Sequence, residues 1–155
     1  GSKDGLFQEA LEYYARLGLT ELERVLSHHS TPLLGLAAYI RQLGGILDKA
    51  LPSRACMLVK SLLELGTREQ TALDKVEMLL AGMETRFIEC FRAAQEMGEL
   101  DSQLDAVRLG RRLQAEVMGL RAFAQRNVDS SAVHELAEDM ALSIEAMRVD
   151  DFAQV

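Results

Sequence analysis

The chain has 155 residues and a net charge of −7, with 48% hydrophobic, 26% charged and 5% aromatic side chains and no tryptophan. One domain is the default at this length, with a core that buries roughly two thirds of the surface of the unfolded chain. The acidic balance works against nucleic-acid binding by these residues, because Lys and Arg supply most affinity for phosphates, and no run of about 18 apolar residues is present to span a membrane. Leu, Ala, Met, Glu and Arg dominate and only two prolines occur, so an all-α fold is expected. The two cysteines, Cys56 and Cys90, fall in apolar helical surroundings rather than in a disulfide spacing, which fits a reducing, cytoplasmic setting.

Six helices are expected, joined by breaks too short to divide domains. The first runs from about Asp4 to Leu26. Ser2 is placed to cap it and Asp4 to meet the positive end of its dipole, and Leu6, Phe7, Ala10, Leu11, Tyr14, Leu17, Leu22 and Val25 keep a helical period. Gly18 weakens its middle. After Ser27-His28-His29-Ser30, Thr31 is expected to cap a second helix with Pro32 at its first position and Leu36, Ile40, Leu43 and Leu47 as its buried stripe. A loop over Asp48 to Arg54 contains Pro52. The third helix, Ala55 to Leu65, is apolar almost all round and so is expected to be largely buried, with Gly66 ending it in a left-handed cap.

Thr67 and Gln70 have the spacing of a capping box for a fourth helix that reaches about Met97, roughly 45 Å at the helical rise, where Gly98 ends it. Its stripe is Ala72, Val76, Leu79, Leu80, Met83, Phe87, Cys90, Phe91 and Ala94. A fifth helix starts within Asp101 to Asp105 and reaches about Arg126. A sixth runs from Ser130 or Ser131 to about Arg148, and Asp150 to Val155 reads as a frayed tail. The sixth helix has one apolar stripe of Val133, Leu136, Ala137, Met140, Ile144 and Met147. The fifth has one face of Leu109, Leu113, Val117, Leu120 and Ala124 and a second drawn from Val107, Met118 and Ala122, with Gly110, Ala115 and Gly119 small enough for close helix approach. Either both faces pack within one chain, or the last two helices pair with those of a second copy in a four-helix bundle. Under the second reading Leu113, Val117, Leu120, Leu136, Met140 and Ile144 form the dimer interface.

Four segments resemble, in order, the regulatory domain of the tetracycline-repressor family. The opening Ser2-Lys3-Asp4-Gly5-Leu6-Phe7 is similar to the segment that follows the DNA-recognition helix in that family, although Gly1-Ser2 is also what an expression tag leaves behind. Arg54-Ala55-Cys56-Met57-Leu58-Val59-Lys60 through Glu64-Leu65 resembles a Gly-Cys-Leu/Met string, with Ala55 in place of the usual Gly. Phe91 to Leu100, ending Met97-Gly98-Glu99-Leu100, looks like the family's end of its long helix, and Gly119-Leu120-Arg121 like the Gly-Leu of its penultimate helix. The resemblance implies an all-α homodimer, a ligand pocket among the first five helices, a dimer face on the last two, and a transcriptional regulator, usually a repressor released from DNA by a small molecule. The preceding helix-turn-helix is not in this chain, so DNA contact is expected only through a missing N-terminal domain. The alternative is a stand-alone helical dimeric interaction module without a small-molecule ligand.

Candidate pocket residues are Tyr14, Ile40, Leu43, Cys56, Met57, Lys60, Met83, Phe87, Phe91 and Met118. The methionines and phenylalanines suit an apolar ligand, and at helical spacing they equally suit an ordinary core. Tyr14 is the best placed of the three tyrosines to offer a hydroxyl. Cys56 is the redox candidate, since Arg54, Lys60 and a helix N-terminus favour thiolate; the plainer reading is a small buried hydrophobe, which suits Cys90 better still. Lys60 and Glu64 stand one turn apart and either pair, face solvent or orient a polar ligand. His28 and His29 are adjacent and His134 is isolated, so no metal site is expected. With no phosphate-cradling loop and no nucleophile arrangement, neither a cofactor nor an enzymatic activity is expected.

Overall fold

The computed structural model describes residues 1–47, 55–65 and 69–153. The described residues form α1 (Lys3–Leu26), α2 (Pro32–Leu47), α3 (Met57–Glu64), α4 (Gln70–Met97), α5 (Ala106–Ala124), α6 (Ser130–Glu145) and a single turn, α7 (Asp150–Ala153). The expected loop Asp48–Arg54, the Gly66 cap and the Thr67 end of the capping box lie outside the described residues. No described helix is long and apolar enough to cross a membrane.

The helix ends follow local chemistry. Ser2 Oγ accepts the Gly5 N–H at 3.1 Å to open α1. The Asp105 carboxylate accepts from the N–H groups of Val107 and Arg108 to open α5, satisfying donors that have no partner inside the helix. Gly98 closes α4 with φ 81°, a left-handed conformation that glycine adopts without strain. Three boundaries differ from the sequence reading. Helix α3 begins at Met57, and Cys56 is its extended N-cap residue (ψ 125°). Helix α6 stops at Glu145 because Arg148 is drawn into an antiparallel bridge with Leu100. Asp150–Ala153 form a helical turn where a frayed tail was expected.

The expected Thr31 cap is replaced by a distant side chain. The Thr31 hydroxyl donates to Glu99 Oε1 at 2.5 Å, and Glu99 Oε2 accepts the Leu33 N–H at 3.0 Å, so a carboxylate from the end of α4 caps α2. Arg148 Nε donates to the same carboxylate at 2.8 Å, and the Glu99 carbonyl accepts the Val149 N–H at 2.9 Å. Glu99 is fully buried and Arg148 nearly so. Four segments thus meet on one residue: the end of α4, the start of α2, the bridge after α6 and the turn into α7.

The core divides into two apolar clusters. The larger joins α2, α4, α5, α6 and the end of α1 through Leu22, Leu36, Ile40, Phe87, Phe91, Leu120 and Ile144, among others. The smaller joins the first half of α1, α3 and the start of α4 through Leu11, Ala15, Leu58, Val76 and Leu80. Glycines set two close approaches in the larger one. A Cβ on Gly44 would stand 2.5 Å from that of Ala137 on α6, and a Cβ on Gly110 would fall within 2.4 Å of the Ile88 side chain and 2.8 Å of its backbone nitrogen. Arg41 reinforces α2 on α6, with Glu138 at 2.7 Å and Glu145 at 2.5 Å. Helix α1 is tied to α4 by the ion pairs Glu23–Arg86 and Glu12–Lys75.

Of the six residues expected at a dimer face, Leu113, Val117, Leu120 and Ile144 are buried in this chain's own larger cluster. Their side chains have little surface left to give a second copy. Leu136 is exposed and Met140 is half-buried. Between the small residues singled out on α5, Gly110 serves packing within the chain, whereas Ala115 is exposed and Gly119 has open space where its Cβ would stand.

Two substitutions test this packing by urea unfolding. Glu99→Ala leaves Arg148 buried without its partner and should cost about 3–5 kcal/mol; a loss below about 1 kcal/mol would contradict the central place given to this carboxylate. Gly110→Ala should cost about 1–3 kcal/mol through overpacking against α4, while Gly82→Ala on α4, with nothing within 4 Å of where its Cβ would stand, should not destabilise.

Candidate ligand cavity

A cavity of about 440 Å³ lies at the seam between the two clusters, within the range of small-molecule sites. Helix α1 contributes Tyr14, Ala15, Leu17 and Gly18; α2 contributes Tyr39 and Ile46; Cys56 and Leu58 come from the start of α3; Leu80, Met83 and Phe87 from α4; Gln114, Val117, Met118 and Arg121 from α5. The seam stays open because α1 is thin there. Ala15 carries one methyl group and Gly18 none, and the nearest atom to a Cβ on Gly18 would be Met83 Sδ at 3.9 Å. On the opposite side Tyr39 and Phe87 lean against each other with ring centroids 6.4 Å apart, a tilted aromatic pair that stiffens the wall.

The polar groups gather at one end. Arg121 Nη2 donates to the Tyr14 hydroxyl oxygen at 2.6 Å, and the guanidinium carbon stands 5.8 Å from the Tyr14 ring centroid. Burial, reinforced by the neighbouring Cys56 and opposed by Arg121, pushes the Tyr14 phenol up to about 12, so it keeps its proton at neutral pH. Burial raises the Tyr39 phenol as well. Gln114 Nε2 donates to the Leu80 carbonyl at 2.7 Å, fastening α5 to α4 across the wall. A second cavity of about 390 Å³ adjoins the first, shares Tyr14 and Arg121, and is lined by Phe7, Ala55, Met57, Lys60, Ser61 and Glu64.

The cavity brings together Tyr14, Cys56, Met83, Phe87 and Met118 from the expected pocket set. Met57 and Lys60 line the neighbouring cavity instead. Ile40, Leu43 and Phe91 face neither; all three are buried in the larger cluster, where they hold α2 against α4. Lys60 and Glu64 are both exposed and no ion pair joins them among the described residues. Cys56 is half-buried on the cavity wall, while Cys90 is buried, with Arg86 Nη1 3.4 Å from its sulfur. Burial pushes the Cys90 thiol up to about 11. Among the described residues no group of three His, Cys, Asp or Glu side chains could hold a metal ion.

Sequence reasoning missed Arg121, Gln114 and the small pair Ala15 and Gly18, and ranked Tyr39 below Tyr14. The signal for two of them was present. Gln114, Met118 and Arg121 stand at i, i+4 and i+7 and so share one face of α5, next to the stripe of Leu113, Val117 and Leu120 that the core uses.

Residues 32–140 match the family described as tetracyclin repressor-like, C-terminal domain, and the chain belongs to that family. No curated protein and no solved structure matches it. The family is one of non-enzymatic regulatory domains associated with transcription regulation, dimerisation and the binding of small-molecule effectors. The matched span runs from the start of α2 into α6 and so includes every cavity wall except that of α1.

Thiol labelling checks the placement of the two cysteines. Native protein at neutral pH should take up one maleimide, at Cys56, and two after denaturation. Cys56→Ser should abolish native labelling and Cys90→Ser should leave it unchanged; fast native labelling of Cys90 would contradict the packing described around it.

Proposed function

We propose that this chain is the effector-sensing and dimerisation domain of a bacterial, cytoplasmic transcriptional repressor that is released from DNA by a small apolar or thiol-reactive molecule. The observation that carries this reading is the seam cavity, bounded on one side by α1 and on the other by α2, α4 and α5. DNA recognition then belongs to a helix-turn-helix outside these residues, to which α1 would connect. A ligand in the seam favours the arrangement of α1 that accommodates it, and its binding energy shifts the population of α1 positions by the difference in affinity between them. The half-buried Cys56 thiol on the wall supports a reactive effector as one form of the same site.

The homodimer would use the outer faces of α5 and α6. Ala115 and Gly119 expose backbone on α5, and Leu136 and Leu142 are exposed on α6. Small residues on α5 and an exposed leucine such as Leu136 on α6 suit the close crossing of helices from two copies.

Gly18→Leu tests the ligand site with little risk to the fold. The new side chain points into the seam, where its Cβ has room, and replacing a mid-helix glycine gains up to about 1 kcal/mol of helix propensity. Wild-type protein screened against small apolar compounds should show thermal stabilisation, about 2.7 kcal/mol at a hundredfold excess over Kd. Gly18→Leu should fold at least as stably and lose that response. A response that survives in Gly18→Leu would move the site elsewhere, and no response to any compound in wild type would favour a ligand-free interaction module. Light scattering should give about twice 17.2 kDa, reverting to the single-chain mass in Leu136→Glu; a monomeric wild type would contradict the dimer.

A further inference from the structure

Arg121 is the only charged side chain among the described residues that line the seam cavity. Arg121 is half-buried on the cavity wall, and an arginine side chain is a cation with five donors and no acceptor. Its one hydrogen bond here goes to the neutral oxygen of Tyr14, which leaves the charge unbalanced. No carboxylate among the described residues forms an ion pair with it, although Arg24, Arg41, Arg86, Arg111, Arg112 and Arg148 all have one. Its Nε is buried without any hydrogen-bond partner, alone in this among the described buried side-chain nitrogens and oxygens.

A cation in that position is expensive to keep without an anion. The chain's acidic surplus makes the lack of a partner more telling, because carboxylates are plentiful elsewhere on it. The Tyr14 hydroxyl accepts from Arg121 and lies beside the Cys56 thiol. Beyond this polar end the walls are aliphatic, aromatic and thioether groups: Leu58, Leu80, Met83, Phe87, Val117 and Met118.

Resting on the reading of the seam as the effector site, we infer that the effector is an amphipathic carboxylate, with its carboxylate on the Arg121 guanidinium beside the Tyr14 hydroxyl and its apolar body between α1 and α4. Planar two-point recognition of a carboxylate is the geometry in which a guanidinium binds most strongly. The apolar body supplies most of the affinity and the carboxylate selects among compounds of equal hydrophobicity.

The test compares decanoate, decanamide and decylammonium, which share one apolar chain, by calorimetric titration of the intact chain below their aggregation concentrations. Wild type should bind decanoate about ten to a hundred times more tightly than decanamide, the range expected of a charge-assisted hydrogen bond, and decylammonium least. Arg121→Gln should erase the preference for the acid while keeping decanamide affinity, and Arg121→Lys should keep part of it. The ligand comparison in wild type needs no variant, so it stands even if Arg121→Gln folds poorly. Decanamide or decylammonium binding as tightly as decanoate would overturn the carboxylate assignment and leave the apolar site intact. Decanoate preference that persists in Arg121→Gln would overturn the role of Arg121. Binding of none of the three would overturn this inference, and apolar compounds of other shapes that still stabilise wild type but not Gly18→Leu would show that the cavity reading survives it.

Discussion

The fold turns on a buried carboxylate. Glu99 caps α2 from a distance, receives Arg148 from beyond α6, and stands directly after the glycine that ends α4. Removing a carboxylate and a guanidinium from water is costly, and the structure offsets that cost by pairing the two and by giving the carboxylate the Thr31 hydroxyl and the helix-terminal Leu33 N–H as further donors. The result fixes the ends of three helices at one point. Together with the glycine contacts Gly44–Ala137 and Gly110–Ile88 it makes α2, α4, α5 and α6 a close-packed body.

Outside that body the packing is different in kind. Helix α1 joins the larger cluster only through its last turns, at Leu22 and Val25, and its first half belongs with α3 to the smaller cluster. Two apolar clusters that meet without a shared close-packed layer leave room between them, and Ala15 and Gly18 keep that room open. Interiors of folded proteins are normally packed to the density of organic crystals. An apolar pocket of this size, open along Leu17 and Ile46 and with a half-satisfied guanidinium in its wall, forgoes packing that a purely structural scaffold would gain by closing it. Its retention is understandable if filling it is the event to which the domain responds, and if α1, held to α4 by the smaller apolar cluster and by the ion pairs Glu23–Arg86 and Glu12–Lys75, is the element that moves. Such exposed pairs contribute little each, so a ligand's binding energy is large enough to reset them.

The helices were legible in the sequence because their signals are local. Ser2 and Gly98 are read at their positions from cap chemistry alone, the start of α5 is narrowed to Asp101–Asp105, and the apolar period of α4 or α6 identifies a helix whatever it packs on. What each face packs on is not local. Leu113, Val117, Leu120 and Ile144 have the periodicity of an interface, and periodicity is the same for a partner chain as for the chain's own α2 and α4. Ile40, Leu43 and Phe91 have the composition of a pocket wall, which is also the composition of a core. Thr31 has the sequence of an N-cap, yet its hydroxyl is turned toward a carboxylate 68 residues away. The cavity end formed by Tyr14, Cys56 and Arg121 brings together three helices and was visible only in part, through Tyr14 and Cys56, because a single arginine within a helical pattern reads as solvated surface.

The seam is a cavity and not a collapsed core. Crystals of the protein held under xenon measure this without knowledge of the effector, because xenon enters dry apolar cavities and is excluded from close-packed interiors. This account predicts a xenon atom in the space bounded by Tyr14, Gly18, Met83, Phe87 and Met118. Close-packed side chains filling that space, with no xenon between α1 and α4, would contradict it.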